Sequence, residues 1–292
     1  MNESSVLDII RTTKFDRNQL TRYATRIGSG RGAVEKDFVI SCLLLVLTKS
    51  VEVASYRSQL AFRGGTCLKK VFFPKEMRFS EDLDFAGLPA DRLESFYETM
   101  NSLVGKNVGV TTLTNAKPVR RDARGLDFSV GYTSVLGQRN SIMFNLSTSK
   151  PIENLSRKRV DVSPYFSQLR PTIMSMSIEE MLAEKVRALL QRTKPRDVFD
   201  VWFLIEKKHT HLHKQLLLEK LRRSYLATPP EKKEQARRYD MRAIIKSMRE
   251  RVTRKAWGNE IGGLLLRDIP DLQEIIESVE SIIQDLGDIK IE

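Results

Sequence analysis

Asp82-Leu83-Asp84 is the part of this sequence best suited to chemistry. In an extended segment alternate side chains share a face, so Ser80, Asp82 and Asp84 point one way and Glu81, Leu83 and Phe85 the other. Leu83 and Phe85 suit a core, which leaves the carboxylates on a less buried face or in a cleft. Two carboxylates held this close repel each other. A divalent cation that prefers oxygen ligands, Mg²⁺ or Mn²⁺, removes the conflict. A cation that also binds a triphosphate can neutralise departing pyrophosphate and, in a two-metal arrangement, activate an attacking hydroxyl.

Gly64-Gly65-Thr66 stands about seventeen residues upstream, between a short extended piece and a helical run. Glycines at such a junction let backbone N–H groups approach a phosphate, and the helix start adds partial positive charge. Thr66 offers a hydroxyl, Lys69 and Lys70 offer charge nearby, and Ser80 offers a further hydrogen bond. The pattern is not the G-x-x-x-x-G-K-[ST] loop of another large class of phosphate binders.

The elements that must hold these residues follow from periodicity. A helical lead-in spans 4–27, and Glu35–Ser50 is an apolar helix buried on most sides. TCLKKVFF (66–73) is helical and stops at Pro74; MRFSEDLDF (77–85) is a strand. A helix at 91–103 precedes strands at 108–114, 126–135 and 140–148, with a short one near Val160. From Ser177 the pattern is helical. Ser177 and Glu180 form a capping box, Pro195 opens the next helix, and further helices fit 213–225, 231–255 and 270–285.

Composition sets the class. With 41% hydrophobic and 29% charged residues the 292-residue chain folds rather than remaining disordered. The apolar run Phe38–Leu47 is far short of the ~20 residues a membrane span needs, and the first residues lack a signal-peptide pattern, so a cytoplasmic protein is expected. Cys42 and Cys67 are expected to be reduced thiols. Net charge is +12, and residues 207–255 hold sixteen Lys/Arg against five Asp/Glu, a balance of 16 − 5 = +11. Such density is the footprint of a polyanion partner, with Arg237, Arg238 and Arg242 as contact candidates. Tyr225 and Tyr239 are candidates for stacking on bases or for the core. His209, His211 and His213 alternate but have no acidic or cysteine companion, and are not read as a metal site.

The run FRGGTCLKKVFFPKEMRFSEDLDF (62–85) resembles the signature of the AbiEii/AbiGii toxin family of nucleotidyltransferases, toxins of type IV toxin–antitoxin systems. Glu35-Lys36-Asp37-Phe38 is similar to its leading motif, and residues 182–204 to its later one, K…R…R-D-x-x-D. The resemblance implies an α+β fold: a polymerase-β-like palm with a mixed sheet over 1–170, then an all-helical domain over 171–292 with a basic nucleic-acid-binding surface. It implies a toxin of an abortive-infection, phage-defence type that moves NMP from an NTP to an RNA 3′ end, tRNA in several members, blocking translation. It also implies a cognate antitoxin encoded alongside. Gly64, Gly65, Thr66 and Ser80 then belong to the nucleotide site, Asp82 and Asp84 hold the metal, and Lys185 meets the triphosphate. Arg196, Asp197 and Asp200 match R-D-x-x-D, where Arg196 and Asp200 are also spaced for a helical ion pair.

One departure bears on mechanism. Where the superfamily commonly brings a third carboxylate, this chain has Asn145, which lacks charge and basicity; Asp127 and Asp200 are alternatives. The competing functions are a non-catalytic module that binds nucleic acid or antitoxin, and nucleotidylation of a protein acceptor.

Overall fold

A computed structural model describes residues 8–10, 12–49, 51–103, 113–264 and 271–291. The chain divides into two compact units, Met1–Met176 and Ser177–Glu292.

In the first unit, seven strands among the described residues form one mixed sheet. They are β1 (Ala61–Arg63), β2 (Asp82–Ala86), β3 (Leu113–Asp122), β4 (Gly125–Thr133), β5 (Arg139–Ser147), β6 (Ser156–Arg159) and β7 (Thr172–Ser175), in the order β3-β4-β5-β2-β1-β7-β6. β2 runs parallel to β5 and antiparallel to β1. Period-two alternation buries one face: Leu126, Phe128, Val130 and Tyr132 of β4 turn inward, as do Ile142, Phe144 and Leu146 of β5. Phe62, Phe85, Phe144 and Phe128 stack in sequence across four strands, with ring centroids 5.1, 6.5 and 4.8 Å apart. Burying that aromatic row commits the opposite face of β2 to Asp82 and Asp84.

Helix α1 (Arg17–Ile27) is capped by Asp16, which accepts from Gln19 N at 2.9 Å. Helix α2 (Arg31–Lys49) is buried along nearly its whole length, as its unbroken apolar run dictates. The Gly-Gly turn opens α3 (Gly64–Cys67), which widens into a π turn over Leu68–Phe72. Helix α4 (Leu93–Leu103) buries Leu93, Phe96, Met100 and Leu103.

Two strand expectations shift. The one at 77–85 contracts to Asp82–Ala86, so Ser80 stands outside it. The one at 108–114 lies mostly outside the described residues, whereas β3 continues to Asp122 through a polar stretch containing Pro118. A proline and irregular register are tolerated there because β3 is an edge strand.

The second unit contains α5 (Ile178–Arg192), α6 (Pro195–Trp202), α7 (Lys214–Leu226), α8 (Lys233–Ala236), α9 (Met241–Arg251), α10 (Arg254–Trp257) and α11 (Leu272–Leu286). Ser177 caps α5 by accepting from Glu180 N at 3.1 Å, and Pro195 occupies the first turn of α6. Glu180 is fully buried, with Lys220 Nζ 2.6 Å away. The single helix expected over 231–255 is interrupted: β8 (Arg238–Tyr239) pairs antiparallel with β9 (Ile289–Lys290), adding a small ribbon to an otherwise helical unit. Tyr239 is core rather than a stacking platform; it is buried and its hydroxyl accepts from Gln191 Nε2 at 3.0 Å. No helix among the described residues is long and apolar enough to cross a membrane. Cys42 and Cys67 are buried free thiols, and burial pushes the Cys67 thiol up to about 12.

Candidate active site

Register places the first glycine against the second aspartate. Arg63 pairs with Asp84 across β1 and β2, and the chain then turns through Gly64 with φ +80°. A Cβ at Gly64 would lie 2.1 Å from Asp84 Oδ2, so both the backbone angle and the approach of the carboxylate demand glycine. Asp82 and Asp84 sit half-buried on one face of β2 while Leu83 and Phe85 are fully buried on the other. Ser80 lies over the turn, its Oγ 2.9 Å from where a Gly65 Cβ would be. Thr66 has a different task from the one its hydroxyl suggested. It is buried and donates to the Asp82 carbonyl, which ties the glycine turn to β2 instead of reaching a phosphate.

These contacts predict unequal glycine substitutions. Gly64→Ala is expected to displace Asp84, abolish activity and cost about 1–3 kcal/mol of stability through the positive φ. Gly65→Ala crowds the rotatable Ser80 hydroxymethyl and touches Arg78 Nη2 at an ordinary 3.5 Å, and is expected to be much milder, with Ser80→Ala in addition restoring part of the loss. Equal thermal shifts and equal activities for the two alanine variants would contradict this geometry.

Lys69 and Lys70 do not supply charge to the turn; the π turn carries both inward. Lys70 Nζ lies 2.8 Å from Asp37 Oδ2 and 3.0 Å from Ser41 Oγ, with lysine and aspartate both buried. Lys69 Nζ donates to Pro74 O at 2.6 Å and stands 4.7 Å over the Phe79 ring. Burial lowers its pKa to about 8, against the field of Asp37, which raises it. The folded state therefore holds fewer protons than the unfolded one between about pH 8 and the ordinary lysine value, and this contribution to stability rises with pH across that window. Denaturant titrations at several pH values should show this slope in the wild type and its loss in Lys69→Met; identical slopes would contradict it.

The leading motif is a scaffold for the site. Lys36 Nζ reaches Glu81, beside the aspartate pair, at 2.7 Å. Asp37 anchors Lys70, and Glu35 Oε1 accepts from Val135 N at 2.7 Å beyond the end of β4.

Asp84, Asn145 and Asp127 fall in one cross-strand row, flanked by Arg63 and Arg120. Asn145 Nδ2 donates to Asp84 Oδ1 at 2.9 Å, so the amide steadies the carboxylate instead of replacing an acid. Asp127 is not a third ligand in this arrangement: Arg120 holds both its oxygens, at 2.7 and 3.1 Å. Among the described residues no group of three or more His, Cys, Asp or Glu gathers to hold a metal. The donor set is the aspartate pair, which suits Mg²⁺, a cation that keeps several waters and takes substrate phosphate oxygens.

In the second unit, the expected Arg196–Asp200 pair gives way to two inter-helix pairs. Lys185 Nζ lies 2.7 Å from Asp200 Oδ2, and Arg192 grips Asp197 at 2.7 and 2.8 Å. Both acids are fully buried against those cations rather than open to a ligand. Each instead fixes a cation, and Arg196 is left half-exposed, 3.7 Å from Glu260.

The family model of the nucleotidyl transferase AbiEii toxin, of type IV toxin–antitoxin systems, matches residues 46–282. This chain belongs to the AbiEii nucleotidyltransferase toxin family. Membership makes it a nucleotidyltransferase with an NTP substrate and a toxin of a toxin–antitoxin pair. Among solved structures it is similar to MenT4, a nucleotidyltransferase toxin from Mycobacterium tuberculosis H37Rv, with TM-score 0.68 and 21% identity over 94% of this chain and 90% of that one. It is also similar to JHP933 from Helicobacter pylori, with TM-score 0.55 and 16% identity over 88% of this chain and 93% of that one. At such identities the likeness establishes the fold, the polymerase-β-like α+β architecture. No curated protein matches the chain. Within an AbiEii nucleotidyltransferase, the scaffolding by Glu35, Lys36 and Asp37 was hidden from sequence reasoning because their partners lie 33 to 100 residues away.

Proposed function

We propose that this AbiEii toxin transfers NMP from an NTP to the 3′ end of an RNA, most simply tRNA, and so blocks translation in the cytoplasm until its cognate antitoxin restrains it. The observation that carries this is the fit of Gly64 against Asp84, which brings a glycine turn beside a paired carboxylate strand. Asp82 and Asp84 would hold Mg²⁺ or Mn²⁺. When bound, the cation neutralises the triphosphate and the developing charge on pyrophosphate. The backbone N–H groups of Gly65 and Thr66 offer donors to phosphate oxygens, with the Ser80 hydroxyl beside them. Lys185, steadied by Asp200, is the cation that the family resemblance assigns to the triphosphate. The acceptor 3′-oxygen bonds to the α-phosphorus, the bond to the β-phosphate oxygen breaks, pyrophosphate leaves, and the hydroxyl proton passes to solvent.

The basic segment supports an RNA acceptor. Arg238 and Arg242 are exposed, whereas Arg237 is partly committed, its Nε donating to Ile291 O at 3.4 Å. The test is to incubate the protein with total tRNA, Mg²⁺ and each labelled NTP, using intact tRNA and tRNA whose 3′ diol has been oxidised by periodate. Label on intact tRNA alone is expected. Label on both preparations would contradict 3′ transfer, and label only on a protein band would establish the protein-acceptor alternative.

A further inference from the structure

The second unit carries an open groove of about 550 Å³ that the aspartate site does not use, formed where α5, α7, α9 and β8 meet. Its size lies within the roughly 300–1,000 Å³ typical of small-ligand clefts. Three cations line it, Lys232, Arg238 and Arg251, against a single carboxylate, Asp240. That carboxylate is committed: Asp240 caps α9, accepting from Ala243 N at 3.0 Å. Leu190 and Ile244 give the groove an apolar wall. Gln191 Nε2 donates to Ser224 Oγ at 2.9 Å and to Tyr239 Oη at 3.0 Å, so each of those hydroxyls has its own hydrogen to donate elsewhere.

An apolar wall, hydroxyl donors and a cationic lining together match a ribonucleotide: a base or ribose against the wall, and phosphate oxygens and the 2′-hydroxyl on the polar groups. We infer that this groove binds a nucleotide of single-stranded RNA, a site separate from the one that takes the NTP. The inference rests on the proposal that the acceptor is RNA.

The test uses the full chain and a short fluorescent single-stranded RNA. Lys232→Gln with Arg251→Gln removes two groove cations, Ala243→Trp fills the groove without changing charge, and Arg222→Gln removes an exposed cation outside it. Each variant is first checked for wild-type circular dichroism and melting temperature. The charge pair and Ala243→Trp are each expected to weaken RNA binding about tenfold, the charge pair also lowering the salt slope by about 0.7 per cation removed. Arg222→Gln should bind within about twofold of wild type, and NTP affinity should be unchanged throughout. Wild-type RNA affinity in Ala243→Trp would overturn the inference, because the attraction would then be diffuse charge. With poly-glutamate as a second probe, its binding lost in the groove variants while RNA binding stays intact would overturn the inference in favour of an acidic protein partner. RNA binding lost in groove variants of a chain that transfers no nucleotide would uphold the groove and sink the proposed reaction. Transfer to RNA with groove variants unimpaired would sink the groove alone.

Discussion

Asp82→Ala and Asp84→Ala are each expected to lower nucleotide transfer by at least about 10³-fold, the equivalent of about 4 kcal/mol in the barrier, while the protein stays folded. Both side chains are half-buried on the outer face of β2 and fill no part of the core, which belongs to Leu83 and Phe85. Removing one acid relieves like-charge repulsion, so the melting temperature should hold or rise. What is lost is one carboxylate of the pair that would hold the cation. Asn145→Ala is the graded control, because it keeps both acids and removes only the amide donor to Asp84. A charge-assisted hydrogen bond of this kind corresponds to a loss of roughly tenfold. Steady-state transfer rates, with circular dichroism on the same preparations, check this ordering. An Asn145→Ala loss as deep as that of Asp84→Ala would mean that the amide takes part directly.

Lys70→Met should be among the most destabilising single substitutions in the first unit, by about 3–5 kcal/mol. The pair it breaks is buried on both sides, and Asp37 would keep a buried charge without its ion-pair partner. For a chain of this length that corresponds to a fall in melting temperature of roughly 10 °C. Asp37→Leu added to Lys70→Met should recover most of the loss, since replacing a buried pair by apolar groups is often neutral. The surface pair Arg121–Glu94 sets the contrast: with both partners well exposed, Arg121→Ala should shift stability by under about 1 kcal/mol. Calorimetry on the three proteins decides it, and a Lys70→Met shift no larger than that of Arg121→Ala would contradict the scaffold role of the Asp37–Lys70 pair.

The parts of this site that sequence could reveal are those governed by local rules. Alternation fixed which face Asp82 and Asp84 share, because Leu83 and Phe85 have nowhere else to go. The glycine pair announced a turn with a close approach, and Ser177 and Pro195 marked their helix starts. What depended on tertiary geometry was not legible. Lys69 and Lys70 sit next to the turn in sequence, yet the π turn directs them to Pro74 and Asp37. The later motif suggested an Arg196–Asp200 pair along one helix, whereas packing of α5 on α6 selects Lys185–Asp200 and Arg192–Asp197. The extent of β3 to Asp122 was not legible because an edge strand needs no apolar alternation, and the break at Arg238–Tyr239 depends on a partner strand some fifty residues later.

The most direct test of the central claim compares the wild type with an Asp82→Ala/Asp84→Ala double variant. Each is incubated with tRNA, Mg²⁺ and the four labelled NTPs. Label on the tRNA 3′ end with the wild type, lost on chelation and absent from a folded double variant, is the predicted result. Label transferred by the double variant at a comparable rate would show that the chemistry lies elsewhere and that the aspartate pair is not the site.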